Sequence, residues 1–293
     1  MKNVTILRAV TVAVVLLNGS QLKGAYEQVV MGDNPFAYYR FGESKVTDMV
    51  RDEMGNHNGS FRNNPVVGVV GPIIAEPDDT AVHFNRGQSN YVQLTTLGDY
   101  GRRLFQGFSV EFWLKSDNGT TANQAIMGSN NPRSTTAFIV DVANHTAGEL
   151  RLYFRDQDYS RYELRFYSGG GNPQMFDDTW HHIVYCFDPT VSLVQDCVSL
   201  YLDAQQEAVS STTLAGGTPD SFSDFVYPMI LAGWNNRGTI QNFLDGSLDE
   251  VAFYTRPLSA EEVASHYNAA IPEPTTILLL ALGGLALTRK RRA

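Results

Sequence analysis

No stretch of this 293-residue chain is apolar for long enough to span a bilayer: the two greasy runs, Ala9–Leu17 and Ile277–Leu287, fall well short of the roughly 20 residues a spanning helix needs. Cysteine is nearly absent, with Cys186 and Cys197 the whole complement. The core therefore has to come from apolar burial, which a chain of this length supports without metals or disulfides. Cations are scarce where they would matter for partners. Seven of the 22 Lys and Arg residues but only one of the 31 acids lie in the two ends, so residues 26–270 hold 15 cations against 30 acids. Such a body repels nucleic acid and anionic lipid, and no basic run offsets it, which sets nucleic-acid binding aside.

The ends account for their own cations. MKNVTILR is short and positive, AVTVAVVLL is apolar, and NGSQLKGA is polar and small. That order predicts a secretory signal peptide over residues 1–25, cleaved between Gly19 and Ala25. In an exported chain, two cysteines flanking FDPTVSLVQD predict a disulfide between Cys186 and Cys197.

Residues 26–270 are written in strands. In FQGFSVEFWLKS, Phe108, Val110, Phe112 and Leu114 share one face, with Ser109, Glu111, Trp113 and Lys115 on the other. ELRLYFRD, YELRFYS, WHHIVYCF and CVSLYLD alternate in the same way, between turns rich in Asp, Asn, Gly and Pro. With no strand-helix-strand rhythm, this predicts an all-β, antiparallel two-sheet sandwich whose second, half-polar faces meet water or a loop layer. One short closing helix is expected after Pro257, where Ser259 and Glu262 form a capping box and Val263 packs with Tyr267.

Taken in order, these segments resemble the laminin-G-like or concanavalin A-like jelly roll. The resemblance rests on Tyr38–Glu43, Asp52–Gly59, Ala81–Phe84, Tyr91–Leu94, Phe108–Leu114, Trp180–Val184, Val198–Asp203 and above all GSLDEVAFYTRPLSAEE at 246–262, and covers about residues 36–268. It implies the fold, and with it a choice among glycan binding, protein binding, adhesion and glycoside hydrolysis that fold alone does not make.

Hydrolysis needs two carboxyls facing one sugar, and the Glu-x-Asp-x-x-Glu strand of the related glucanases has no match. Glu111 stands alone, Glu163 is followed on its face by Arg165, and adjacent Asp249 and Glu250 would point apart on a regular strand. His181 and His182 are neighbours of the same kind and suit scaffold better than a metal set. A structural calcium fits the family, with Asp52, Asn56 and Asn58 of the early loop joined by Asp249; a solvated turn is the other reading of that loop. For glycan binding, the candidates are exposed rings with amide neighbours: Trp113, Tyr153 and Tyr167, and the GWNNRG loop with Trp234, Asn235, Asn236 and Arg237.

The expected function is a secreted or surface-associated, non-catalytic module for carbohydrate or matrix adhesion, with extracellular polysaccharide or a matrix or surface protein as partner. A polysaccharide-active hydrolase or lyase with an atypical acidic site, and a purely structural surface protein, are the alternatives. The last residues, IPEPTTILLLALGGLALTRKRRA, resemble the PEP-CTERM sorting tail, in which Pro272, Glu273 and Pro274 are recognised by an exosortase-type enzyme. That tail, over 271–293, implies transient inner-membrane association and final residence in the envelope, at the surface or in the extracellular matrix of a Gram-negative bacterium.

Overall fold

The computed structural model describes residues 25–119, 123–131, 136–142, 148–167, 175–191, 196–217 and 219–271. All but the last residue of the expected signal peptide (1–25), and the tail from Pro272 onward with Glu273 and Pro274, lie outside the described residues. The strands are β1 (Ala37–Tyr39), β2 (Met49–Val50), β3 (Gly59–Arg62), β4 (Val66–Val70), β5 (Thr80–Phe84), β6 (Tyr91–Leu94), β7 (Phe108–Lys115), β8 (Gln124–Asn130), β9 (Ala137–Val142) and β10 (Glu149–Arg155). They continue with β11 (Arg161–Tyr167), β12 (Trp180–Phe187), β13 (Val198–Leu202), β14 (Gln205–Glu207), β15 (Ser211–Ala215), β16 (Ile230–Leu231), β17 (Trp234–Asn236), β18 (Thr239–Gln241) and β19 (Gly246–Tyr254).

They form the two-sheet sandwich expected from the alternation. The first sheet runs β14-β13-β12-β7-β19-β5-β4, with β1 also paired to β19; the second runs β15-β11-β10-β9-β8-β16-β6-β3-β2, with β17 and β18 attached through β8. Side chains alternate across each strand, and the apolar sets meet between the sheets. Phe108, Val110, Phe112 and Leu114 of β7 and Ile183, Tyr185 and Phe187 of β12 pack there against Leu150, Leu152 and Phe154 of β10 and Tyr162, Leu164 and Phe166 of β11.

The outer face of the first sheet departs from expectation, because it is covered by helices. The closing helix, Ala260–Ala270, carries the expected capping box, with Ser259 and Glu262 each accepting from the other's backbone N–H. A second helix, Ala25–Gly32, packs beside it; residue 25 had marked the edge of the signal peptide, and AYEQVVMG had no reading as a helix. Its Tyr26 and Val30, one turn apart, join Trp113, Val184, Tyr254, Val263 and Ala270 in a second buried cluster, and Ile271 packs against that cluster as the chain leaves the helix.

At the centre of this layer lies Glu111, fully buried on β7. Its carboxylate accepts from Tyr26 Oη at 3.1 Å, Tyr254 Oη at 2.8 Å and His182 Nε2 at 2.7 Å, while His266 Nδ1 lies 2.9 Å from Oε2. His266 Nε2 reaches Asp33 Oδ2 at 2.9 Å, just past the end of the first helix. Burial would raise the Glu111 carboxyl, but the charge of His266 and the hydrogen bonds from His182 and His266 hold it well below the ordinary carboxylate range. Burial likewise opposes charging His266, yet Glu111 and Asp33 outweigh it and raise the imidazole from 6.5 to about 9.

The expected disulfide is not formed. Cys186 faces outward on β12 into the helix-covered cluster, whereas Cys197, just before β13, contributes to the core between the sheets. The Cys197 thiol donates to the carbonyl of Val191 at 3.2 Å, so the two sulfurs are turned to opposite sides of one sheet.

The His266 pairing sets a pH dependence. A base with a raised folded-state pKa contributes stability that is complete below its unfolded value and is lost as pH rises through its folded value. The stability advantage of the native chain over His266→Gln should therefore fall by about 3 kcal/mol between pH 6 and pH 10. Urea titrations of both proteins across that range read it directly, and a pH-independent difference would exclude the imidazolium.

Candidate functional site

On the outer side of the second sheet, away from the helices, side chains form three rows in which Asn130, Ile139, Asp141, Arg155 and Glu163 are only 4–9% exposed and Arg151, Tyr153, Arg165 and Trp234 are half-buried. Opposed residues on neighbouring strands share a face, so pairing places Thr213, Glu163, Tyr153, Ile139 and Gly128 in one row across β15, β11, β10, β9 and β8. Ser211, Arg165, Arg151 and Asp141 form the row on one side, and Arg161, Arg155, Ala137, Asn130 and Asn236 the row on the other. Four strand spacings make the face about 19 Å wide.

Trp234 extends the central row. A side chain at 128 would come within 2.9 Å of Trp234 Cδ1, so the indole lies across the glycine and next to Ile139. The Trp234 Nε1–H is buried without an acceptor among the described residues. Arg155 Nη2 donates to Asn130 Oδ1 at 3.1 Å, Asn130 Nδ2 donates to Asn236 Oδ1 at 3.3 Å, and the Arg155 guanidinium lies 5.3 Å from the Tyr159 ring centroid. Arg151 donates from Nε to Asp141 Oδ1 at 2.8 Å, approaches Glu163 Oε1 at 3.3 Å, and sits 5.5 Å from the Tyr153 ring centroid. Aromatic faces, amides and oriented guanidinia therefore share one surface.

Of the expected glycan contacts, this surface gathers Tyr153, Trp234 and Asn236. Tyr167 falls on β11 opposite Glu149, its side chain outside the described residues. Arg237 follows in a left-handed turn at φ 57°, its N–H donating to Asn130 O. Asn235 is buried and structural, donating to Pro228 O and accepting from Gly238 N. Trp113 does not belong here. It is fully buried on the first sheet, donates to Tyr26 Oη at 3.0 Å and stacks on Tyr267, so no ligand can use its ring. The sequence reading gives no ligand role to Asn130, Ile139, Asp141, Arg151 or Arg155 and weighs Glu163, with Arg165 beside it, only for hydrolysis; the alternation in ELRLYFRD and YELRFYS puts Arg151, Arg155, Glu163 and Arg165 on one side.

The early loop is closed upon itself. Asp52 Oδ1 accepts from the N–H groups of Tyr38 and Met54, and Oδ2 from those of Asn56 and His57. Asn58 Oδ1 accepts from Asp52 N, and Asn56 Nδ2 donates to Met54 O. These oxygens organise the loop, and they do not fit a calcium set with Asp249.

Asp249 instead meets Asp79 and Glu250, each offering an oxygen within 4.8 Å of the others. Adjacent residues of a regular strand point apart, but β19 slips register against β7 between Asp249 and Ala252, and Glu250 takes φ 50°. That bulge brings both acids to one place. Tyr38 Oη donates to Glu250, and Arg40 holds Glu250, Glu76 and Glu27 at 3.1, 2.8 and 2.8 Å. Burial pushes Asp79 up to about 6 and Glu250 up to about 8, and burial with the neighbouring charges raises Asp249 as well. A cleft of about 680 Å³, lined by Arg40, Glu43, Glu53, Glu76, Asp78 and Asp79 among others, opens over the group.

Neither set of acids has the form of a hydrolytic pair. In the cleft, Asp249 and Glu250 are fully buried, so neither can flank a sugar that Asp79 touches. On the polar face, burial would raise Glu163, but the hydrogen bond from Arg165 and the charge of Arg151 hold it below its ordinary value. A group held ionised is unsuited to act as a general acid.

Residues 86–264 match the concanavalin A-like lectin/glucanases superfamily, and residues 270–292 match the PEP-CTERM protein-sorting motif. The latter is an export and cell-envelope sorting signal and marks the chain for exosortase processing. No curated protein matches the sequence. Among solved structures, the botulinum neurotoxin serotype D binding domain is similar at 12% identity and TM-score 0.56, over 82% of this chain and 53% of that one. The binding domain of Paraclostridial Mosquitocidal Protein 1 is similar at 14% and 0.54, over 78% and 53%. Domain 4 of AbnA, a GH43 extracellular arabinanase from Geobacillus stearothermophilus solved with arabinotriose, is similar at 16% and 0.52, over 80% and 98%. At these identities the likeness is one of fold, and this chain spans about half the length of the two toxin domains.

The reading of Asp52 has a direct test. Removing a buried carboxylate that accepts four N–H groups leaves donors unmet, so Asp52→Ala should cost about 2–4 kcal/mol in urea unfolding. The loss should be equal in calcium and in chelator; a loss confined to calcium-containing buffer would make the loop a metal site after all.

Proposed function

The chain belongs to the concanavalin A-like lectin/glucanase superfamily, and on that premise we propose that it is an exported module that binds polysaccharide reversibly through the outer face of its second sheet. The observation that carries this reading is the placement of Trp234 across Gly128, in line with Ile139 and Tyr153 and beside the Arg155–Asn130–Asn236 chain. A flat ring offers apolar contact to a sugar face, while amides and guanidinia fix hydroxyl positions. The arabinanase domain, solved with a trisaccharide, and the toxin binding domains support a binding role by analogy of fold.

In this reading Tyr153 is the second aromatic contact. Arg151 holds it by stacking while its own charge is taken up by Asp141 and Glu163. The Arg151–Asp141–Glu163 and Arg155–Asn130–Asn236 groups are braced by strand neighbours before any ligand arrives, and preorganisation lowers the entropic cost of binding.

Calorimetric titration of the purified protein against a panel of bacterial and algal polysaccharides, with reducing ends assayed in parallel, tests the proposal. We expect saturable heat with at least one polymer, no new reducing ends, and binding weakened at least tenfold in Trp234→Ala, about 1.4 kcal/mol. Unaltered affinity in that variant would move the site elsewhere. Absence of heat across the panel would favour a protein partner or a structural role, and accumulating reducing ends would make the protein an enzyme.

A further inference from the structure

Four arginines of β10 and β11 stand on the outer side of the second sheet, and their surroundings divide them in two. Arg151 is answered by Asp141 and Glu163, and Arg165 by Glu163. Arg155 ends β10 and Arg161 begins β11, directly opposite one another. Neither has a carboxylate partner among the described residues. The row they open continues through Ala137, Asn130 and Asn236 and contains no acid. Asp156, next along the chain, is spent on the backbone, its Oδ1 accepting from the N–H groups of Asp158 and Ser160 and its Oδ2 from that of Asp220.

Like charges directly opposite on paired strands destabilise a sheet, and a cation withdrawn from water normally has a counter-charge. Arg155 is almost wholly buried, and its one hydrogen bond among the described residues goes from Nη2 to the neutral amide of Asn130. Its Nε is buried without an acceptor, whereas Nη1, which is neither hydrogen-bonded nor buried, reaches the surface. Beside it stand the exposed Arg161 and the exposed ring of Tyr159, on which the Arg155 guanidinium lies. The pair is thus fixed in place, open at its tip and short of one negative charge.

We propose that Arg155 and Arg161 form an oxyanion site, so that the polysaccharide taken by this face is an acidic one whose carboxylate or sulfate group bridges the two guanidinia. The inference rests on the binding face proposed above and adds the charge of its ligand. Side chains opposite one another on paired strands start roughly 5 Å apart, so one oxyanion can touch both, and the planar guanidinium fork matches such a group better than an ammonium does. Asn130 and Asn236 follow in the same row with amides for hydroxyls, and Tyr153 and Trp234 lie in the adjoining row with their rings. The acidity of residues 26–270 conceals this pair in the sequence, because arginines six apart form no basic run and meet only through the hairpin.

The test compares polymers that differ in charge: polygalacturonate with its carboxyl-reduced form, and dextran sulfate with dextran, each titrated calorimetrically into the full chain at one ionic strength. We expect the charged member of at least one pair to bind at least tenfold more tightly, and the pair concerned tells carboxylate from sulfate. Arg161→Gln, at an exposed position, should cut that preference at least fivefold. Arg155→Gln should abolish it and Arg155→Lys restore part of it, while Arg62→Gln, on β3, should leave it within about twofold. Sodium sulfate, against sodium chloride at equal ionic strength, should shift the two arginine Nε–H resonances that are missing from the spectra of Arg155→Gln and Arg161→Gln. Equal affinity for charged and neutral polymers, with Trp234→Ala weakening both, would overturn the oxyanion site and leave the binding face standing. A preference for charge that survives in both glutamine variants would overturn it too, by placing the anion elsewhere. Sulfate shifts without binding of any polymer would do the reverse, keeping the oxyanion site and removing the polysaccharide.

Discussion

A carboxylate taken fully out of water is tolerated only when its surroundings replace every hydration contact. Glu111 meets that demand with donors from four separate elements: Tyr26 from the first helix, His182 from β12, Tyr254 from β19 and His266 from the closing helix. Both helices are therefore fastened to the sheet by one charge and not by apolar contact alone. One outer face of the sandwich is thereby sealed around Glu111 and Trp113, and the half-buried Tyr153 and Trp234 lie on the other.

The two groups of charges outside the core are built on opposite principles. On the polar face, Arg151 and Arg165 are satisfied by nearby acids, so that part of the surface is set in shape before it meets a ligand. Beneath the cleft, acids outnumber their single guanidinium and one oxygen is left over. The first arrangement suits a partner that offers hydroxyls and ring faces.

Much of this was legible in the sequence where local patterning decides the outcome. Alternation placed β7, β10, β11, β12 and β13, and the spacing of Ser259 and Glu262 located the closing helix. Export was legible as well, because PEP, an apolar run and a basic end form a single readable signal. What escaped depends on tertiary context. The polar side of β7 carries Ser109, Glu111 and Trp113, which reads as a water-facing surface until the helix of Tyr26 and Val30 is known to cover it. That helix begins where the export signal was expected to end. Alternation assigns Asp249 and Glu250 to opposite faces because it presumes a regular strand, and nothing local announces the bulge. The cysteines were judged by their separation along the chain, while the side of the sheet to which each turns decided their fate.

The closing helix ends at Ala270, and Ile271 still packs against the layer over the first sheet. The sorting motif follows immediately at 270–292. Ile271, the last described residue, therefore lies on the layer behind the first sheet, across the thickness of the sandwich from Trp234 and Tyr153. On the proposed reading, the folded body thus ends on the side away from its binding face, and neither exit nor recognition is built from the other's residues.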